Sequence, residues 1–182
     1  MAKKLTAAEL KKCLRDTSWN QLEGMICTLY RDSDQAKLYF NSMFNPEAAE
    51  SELLDGYEKK LRSCFVISNP RSPDTREGKR LVREAEKLGS TRVALHVMLR
   101  FVEMGTEFTN KYGDIDAPFY DSLTNVFGRF VALLNSADEG TYGELAERID
   151  RVVAASSGIG WGFSDEMKTL HGEIDWADEA EP

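Results

Sequence analysis

The span from Ser90 to Asn110 constrains the fold more than any other part of this 182-residue chain. Apolar residues occupy most of the circumference that a helix would have here, and polar residues return every three or four positions along one stripe. The apolar members are Val93, Ala94, Leu95, Val97, Met98, Leu99, Phe101 and Val102, and the polar members are Arg92, His96, Arg100, Glu103 and Glu107. Such a helix requires neighbours that cover it. We therefore expect a central helix over residues 90–110.

The same spacing of three and four residues recurs along the rest of the chain, and no alternating run of strand length is present. The sequence predicts an all-α fold, an irregular multi-helix bundle of about eight or nine helices around the central helix 90–110. The predicted helices cover residues 6–16, 18–31, 34–45, 46–67, 74–88, 90–110, 117–134, 138–155 and 164–171. A helical solenoid is the weaker alternative, because no repeat of about 30–50 residues is found.

The first three predicted helices each carry an apolar stripe that we expect to face inward. The stripes are Leu10 and Leu14; Trp19, Leu22, Ile26 and Leu29 or Tyr30; and Leu38, Tyr39, Met43 and Phe44. Later, the turn around Gly158–Gly162 is expected to seat Trp161 and Phe163 against the body.

Length and composition predict one domain over residues 1–182, with 172–182 as a flexible acidic tail. No apolar run approaches the roughly 20 residues that a membrane span requires, so we expect no membrane partner. The start of the chain shows no apolar secretory segment, and the three cysteines are scattered without metal-ligand spacing. The expected location is the cytoplasm.

The charge is unevenly distributed, and this argues against a dedicated nucleic-acid binder. Residues 1–92 hold 17 basic and 14 acidic residues, whereas residues 93–182 hold 6 basic and 17 acidic ones. Two basic segments stand out: residues 1–15 and residues 71–92. Because the net charge is −8, long-range repulsion opposes a phosphate backbone, and a nucleic-acid partner is disfavoured. Within 71–92 the sequence predicts a basic helix face formed by Arg76, Lys79, Arg80 and Arg83.

The segment that follows the central helix holds the candidate binding residues. These are Glu103, Glu107, Asn110, Tyr112, Asp114, Asp116 and Tyr120. Convergent carboxylates could hold a hard cation, and aromatic walls with a few polar groups are typical of a ligand cleft. However, the spacing does not fit a calcium loop, and a helix cap at Asp116 explains that residue without a metal. The sequence therefore predicts no metal, no other cofactor and no catalytic residue.

The segment M-G-T-E-F-T-N-K-Y-G-D-I-D-A-P-F-Y, together with L-K-K-C-L-R, L-Y-F-N-S-M-F-N-P and G-I-G-W-G-F, resembles a bacterial domain-of-unknown-function family. The most specific part of the pattern is G-x-E-F-T-N-x-Y-G-D-I-D. The resemblance implies a bacterial, cytosolic, helical protein and supplies no activity.

Three functions remain open from the sequence. The favoured one is a non-enzymatic helical interaction module whose partner is protein, because no catalytic constellation is visible. The second is a ligand- or metal-binding protein, or an enzyme, that uses the 103–120 region. The third is an RNA-associated protein that uses the basic 71–92 segment.

Overall fold

The computed structural model describes residues 5–66 and 73–176. Within these ranges the chain forms nine α-helices and no strand, which confirms the all-α prediction. The helices are α1 Ala7–Arg15, α2 Trp19–Asp32, α3 Asp34–Phe44, α4 Pro46–Cys64, α5 Thr75–Glu86, α6 Thr91–Tyr112, α7 Ala117–Leu134, α8 Glu139–Ala155 and α9 Phe163–His171. Helix α4 ends at Cys64 rather than at the predicted residue 67, and residues 67–72 lie outside the described ranges.

The chain divides into two compact units, residues 1–51 and residues 52–182. In the first unit, α2 and α3 pack against each other as a hairpin, and the Tyr30 hydroxyl donates a hydrogen bond to Asn41 Oδ1 at 2.9 Å. Thr6 and Glu9 form a capping box at the start of α1, as the sequence indicates. The sequence suggests Asp34 as the cap of α3, but the cap is Ser33, whose hydroxyl accepts from the Ala36 amide at 3.3 Å.

The second unit is built around α6, which packs against α5, α7 and α8. Thirteen residues of α6 are buried, from Val93 to Thr109, and these include every apolar residue predicted to face inward. The Ser90 side chain caps the helix by accepting from the Val93 amide. Gly113 ends the helix with a φ of 90°, a conformation that glycine adopts without strain. The prediction of a buried central helix is therefore correct.

The carboxyl-terminal residues that the structure describes pack against this unit. Ile174 is buried in the core, and the Trp176 indole N–H donates to the Leu134 carbonyl at 3.3 Å. The predicted acidic tail is described only over residues 172–176, since residues 177–182 lie outside the described ranges. The expectation that the whole chain forms one domain stays a prediction.

Close helix packing in the second unit depends on a glycine in α5. A Cβ atom built at Gly78 would lie 2.3 Å from Cε2 of the Phe101 ring, which is itself fully buried in α6. An aromatic ring in a packed core cannot bend away from such a contact, so α5 and α6 approach this closely only with glycine at position 78.

We expect Gly78→Ala to lower the free energy of unfolding by about 1–3 kcal/mol, because the new methyl group overpacks the α5–α6 contact. Urea unfolding followed by circular dichroism measures this change. The matched control is Gly143→Ala in α8, where a Cβ would meet nothing within 4 Å. There, alanine should raise the stability by up to about 1 kcal/mol through helix propensity. Equal effects at both positions would contradict the packing argument.

Candidate functional site

A cleft in the second unit is lined by the polar stripe of α6 and by residues of α4 and α8. Its volume is about 500 Å³. Three glutamates and three arginines line it, together with Thr106, Asn110, Val152 and Ala155. The charged members are Glu58, Glu103, Glu107, Arg100, Arg148 and Arg151. The charges therefore balance at the wall of this cleft.

Glu103 is the centre of the ion-pair network in this cleft. Arg148 of α8 binds it through two parallel hydrogen bonds, from Nε to Oε1 at 2.8 Å and from Nη2 to Oε2 at 2.9 Å. Arg100 adds a third bond, from Nη1 to Glu103 Oε2 at 3.2 Å. The Glu103 side chain is only 14% exposed, so these bonds compensate the cost of removing its charge from water.

Arg100 joins the network to α4. Its Nε and Nη2 donate to the two carboxylate oxygens of Glu58 at 2.7 and 3.1 Å, and its Nη1 donates to Glu107 at 3.1 Å. Burial alone would lower the pKa of Arg100, but the hydrogen bond and charge of Glu58 outweigh it and raise that pKa. The same pairing lowers the pKa of Glu58. Both groups therefore remain charged, and most of the guanidinium donors are already used.

His96 lies at the edge of the network with a neutral imidazole. Its Nδ1 is 3.2 Å from Arg148 Nη1, which can only donate, so Nδ1 accepts and the proton sits on Nε2. Nε2 is buried and lies 3.8 Å from Glu144 Oε2, too far for a hydrogen bond. Burial lowers the pKa of His96, and the charges of Arg148 and Arg92 lower it further, while Glu144 opposes them.

The turn after α6 is organised by Tyr120. This side chain is buried, and its hydroxyl accepts from the Ile115 amide at 3.3 Å and donates to Asp114 Oδ1 at 3.2 Å. The Thr109 hydroxyl lies 3.4 Å away. Burial raises the pKa of Tyr120, so the phenol keeps its proton and its role as donor. Asp116 caps α7 by accepting from the Phe119 amide at 2.9 Å, as predicted.

The four predicted carboxylates therefore divide into two groups: Glu103 and Glu107 share Arg100 as a partner, and the two aspartates lie in the turn after α6. Glu103 and Glu107 bind arginines in the cleft, whereas Asp114 binds Tyr120 and Asp116 caps a helix. Across residues 5–66 and 73–176, no three histidine, cysteine, aspartate or glutamate side chains come together in a group that could hold a metal ion.

Two further predicted residues, Asn110 and Tyr112, lie in the last turn of α6. The Asn110 side-chain amide donates to the Ala155 carbonyl at 2.8 Å and lines the cleft. Tyr112 is exposed, its ring lies 4.8 Å from that of Phe108, and the Lys111 ammonium sits 5.1 Å from its centroid. Thus Glu103, Glu107 and Asn110 share one cleft, and Tyr112, Asp114, Asp116 and Tyr120 do not line it.

The predicted basic face on α5 is partly neutralised. Arg80 is bound by Glu77 and Glu84, each at 2.7 Å, and the Lys79 ammonium donates to the Ser122 hydroxyl at 2.9 Å. Arg76 and Arg83 are exposed. Most of the charged residues in this segment are therefore accounted for by a solvent-exposed helix that forms its own ion pairs.

Arg148 and Glu58 are not among the site residues predicted from the sequence, although the sequence contains a signal for both. Arg148 lies three residues after Leu145 and four before Val152, which are both buried, and so it lies on the inward side of α8. Glu58 lies four residues after the half-buried Leu54 and three before the buried Leu61, so it lies on the inward side of α4. A charged residue inside an apolar stripe indicates a buried partner.

A second candidate surface lies on the first unit, where the inward orientation predicted for the apolar stripes is wrong for most of their residues. Leu14 and Leu22 are half-buried, and the side chain of Leu38 lies outside what the structure describes. No residue of α1 or α2 is buried. We define the N-terminal apolar surface as the large apolar side chains that are exposed on α1–α3: Leu10, Trp19, Met25, Ile26, Leu29, Tyr30, Tyr39, Met43 and Phe44. Trp19 and Phe44 are 78% and 76% exposed. The helical period was predicted correctly, but it does not say whether anything covers a stripe.

The turn before α9 differs from its prediction at one residue. Phe163 is buried as expected, and its ring lies 5.2 Å from that of Tyr120. Trp161 was expected against the body but is 61% exposed, with a left-handed φ of 59°. The glycines on both sides let this turn close without burying the indole.

None of the nine helices described here combines the length and the apolar character needed to cross a membrane. The fold and the two surfaces define an all-α protein with a charge-balanced cleft and an exposed apolar region. The chain belongs to a family of unknown function (DUF6155), whose sequence model matches residues 5–175. No curated protein and no solved structure matches the chain.

The buried neutral histidine predicts a pH dependence of stability. The pKa of His96 in the folded chain lies below its ordinary value of about 6.5, so the unfolded chain binds a proton more readily. The contribution of the neutral His96 to the free energy of unfolding is complete above about pH 6.5, and it is lost as the pH falls toward the pKa in the folded chain. We expect the free energy of unfolding to decrease between pH 7.5 and 5.5, by at most about 1.4 kcal/mol per pH unit from this group.

Urea unfolding at a series of pH values measures this dependence. His96→Gln should flatten the curve over the same window, whereas His171→Gln, which removes the only other histidine, should leave the His96 contribution in place. A curve that His96→Gln does not change would contradict the assignment.

Proposed function

We propose that this protein is a non-enzymatic helical interaction module whose partner is protein and which binds through the N-terminal apolar surface. We include in the proposal the bacterial origin and the cytoplasmic location that the sequence resemblance implies. The observation that carries the proposal is the uneven exposure of apolar side chains. Of the fourteen large hydrophobic residues that are exposed in the described residues, ten lie between Leu5 and Phe44.

Single exposed apolar residues are normal, but a concentration of them is typical of an interaction site. On α2, Trp19, Leu22, Met25, Ile26 and Leu29 fall within roughly 120° of the helix circumference at 100° per residue. Short helices in water gain little stability from propensity alone and depend on packing of their apolar face. A partner that covers this stripe would supply that packing.

We expect the triple variant Trp19→Ser, Met25→Ser, Leu29→Ser to lose the protein partners that intact protein retains in a cross-linked pull-down. The free energy of unfolding should change little, by roughly 0.5 kcal/mol per site, because the three side chains are already exposed. The control is Arg76→Gln with Arg83→Gln, which changes exposed residues of α5 and should keep the same partners.

Partners that survive the triple variant and disappear with the α5 variant would contradict the proposal in favour of the basic face. Partners that are unchanged by both variants would exclude both surfaces.

A second candidate function is the binding of a small zwitterionic molecule in the cleft of the second unit. It is supported by the equal numbers of glutamates and arginines around a cavity of about 500 Å³, within the range of small-molecule sites. Glu107 and Arg151 are 66% and 68% exposed and are the members most accessible to a ligand.

A thermal-shift panel of amino acids and short peptides tests this candidate. We expect a stabilising ligand to lose its effect with Glu107→Gln and with Arg151→Gln, and to keep it with Glu139→Gln, an exposed carboxylate at the start of α8 that does not line the cleft. The absence of any shift across the panel would remove this candidate.

The RNA-associated alternative has the weakest support. Arg80 is held by two glutamates, and a net charge of −8 opposes a polyanion.

A further inference from the structure

We propose that the partner of the N-terminal apolar surface is a second copy of this chain, and that α1 of each copy docks in a groove along α2 of the other. The inference rests on the proposed function and specifies its partner. It is carried by the shape of the groove, the chemistry of α1 and the distribution of charge within the first 51 residues.

The groove runs along α2 and has a volume of about 1,050 Å³. Met25 and Leu29 supply its apolar wall, and Gly24 leaves it open, because a Cβ there would meet nothing within 4 Å. Asp16 lies at the start of the groove and Asp32 at its end. An apolar groove with a carboxylate at each end fits a helix with apolar side chains and flanking positive charges.

Helix α1 has this composition. Leu10 is exposed on its surface, and Leu14 follows one turn later. Lys11, Lys12 and Arg15 are all exposed, and the helix contains one acidic residue. Its nine residues span about 13 Å at 1.5 Å per residue, so it can lie within the length of α2, which has 14 residues.

The charges of the first unit are self-complementary. Residues 1–15 hold five basic residues and one acidic residue, whereas residues 16–51 hold two basic and six acidic residues. The two parts are therefore +4 and −4, and they sum to zero. In a two-fold symmetric interface, the basic part of one copy meets the acidic part of the other and the reverse. A surface with equal and opposite halves thus attracts a second copy of itself.

Sedimentation velocity of the full chain, at physiological salt and over a range of concentrations, tests the proposal. We expect a concentration-dependent species with twice the monomer mass. Met25→Ser with Leu29→Ser should abolish it by removing the apolar wall.

A charge-swap experiment tests the pairing of α1 with the groove. Lys11→Glu with Lys12→Glu changes residues 1–15 from +4 to zero, and Asp16→Lys with Asp32→Lys changes residues 16–51 from −4 to zero, so that each variant loses the attraction between its two halves. Because every change occurs twice in a symmetric dimer, each variant alone should dimerise at least about tenfold more weakly. An equimolar mixture of the two variants should form a dimer with one copy of each. If one variant carries an affinity tag, this dimer is detected because the untagged variant is retained with the tagged one on an affinity resin.

The two aspartate-to-lysine substitutions are compatible with folding. Asp16 and Asp32 lie at the carboxyl ends of α1 and α2, where a lysine is favourable toward the helix dipole. Far-UV circular dichroism of each variant verifies the helix content. The matched control is Arg76→Glu with Arg83→Glu, which makes the same change of charge on α5 and should leave the dimer intact.

The outcomes separate this inference from the proposed function. If the protein is a monomer that binds a hydrophobic dye, and the Met25→Ser, Leu29→Ser variant does not bind the dye, then the partner is not a second copy. In that case the proposed function stands with a different protein as the partner. A monomer without such dye binding overturns both, since its apolar surface is then covered within one chain. A dimer that resists the charge swaps, or swaps that do not rescue each other, overturns the pairing of α1 with the groove.

Discussion

The burial of α6 is the constraint on which the second unit depends. Nearly all of its circumference is apolar, so α5, α7 and α8 must surround it, and α5 approaches closely because Gly78 leaves room for the Phe101 ring. A helix enclosed in this way can present polar groups only along a narrow line. His96, Arg100, Glu103 and Glu107 occupy that line, and the last three of them line the cleft. The core therefore determines where polar chemistry can occur in this unit.

We expect the ion pairs of the cleft to contribute more to the specificity of packing than to net stability. Buried or half-buried pairs roughly offset their own desolvation, but a misaligned partner leaves a charge unpaired at a cost of several kcal/mol. Arg148 and Glu58 thus fix the positions of α8 and α4 against α6 through the bidentate contacts with Glu103 and Arg100. Arg100 and Arg148 donate most of their hydrogen bonds to protein carboxylates. A ligand in the cleft would therefore contact mainly the exposed Glu107 and Arg151. This favours the first unit over the cleft as the principal interaction site.

Local sequence determined the helices and the polar stripe but not the long-range partners. The spacing from Arg92 to Glu107 predicts one face correctly, because a helix fixes which residues are neighbours at three and four positions. Asp114 and Asp116 belong to a non-helical turn in which this rule does not apply, and one binds Tyr120 while the other caps α7. Arg148 lies 45 residues from Glu103, so its pairing depends on how α8 packs. The apolar stripes of α1 and α2 show a second limit of prediction from sequence. Periodicity identifies the apolar side of a helix, but it does not say whether another element covers that side.

The two units differ both in net charge and in the number of exposed apolar side chains. Residues 1–51 carry seven basic and seven acidic residues, so the entire net charge of −8 resides in residues 52–182. Like charges on two acidic surfaces repel each other and keep proteins soluble and separate, whereas a neutral surface imposes no such barrier. The N-terminal apolar surface lies on the neutral unit, where α1 is positively charged and the groove has Asp16 and Asp32 at its ends. Association through the first unit therefore agrees with both the hydrophobic and the electrostatic pattern, while the acidic second unit would limit aggregation of the resulting assembly.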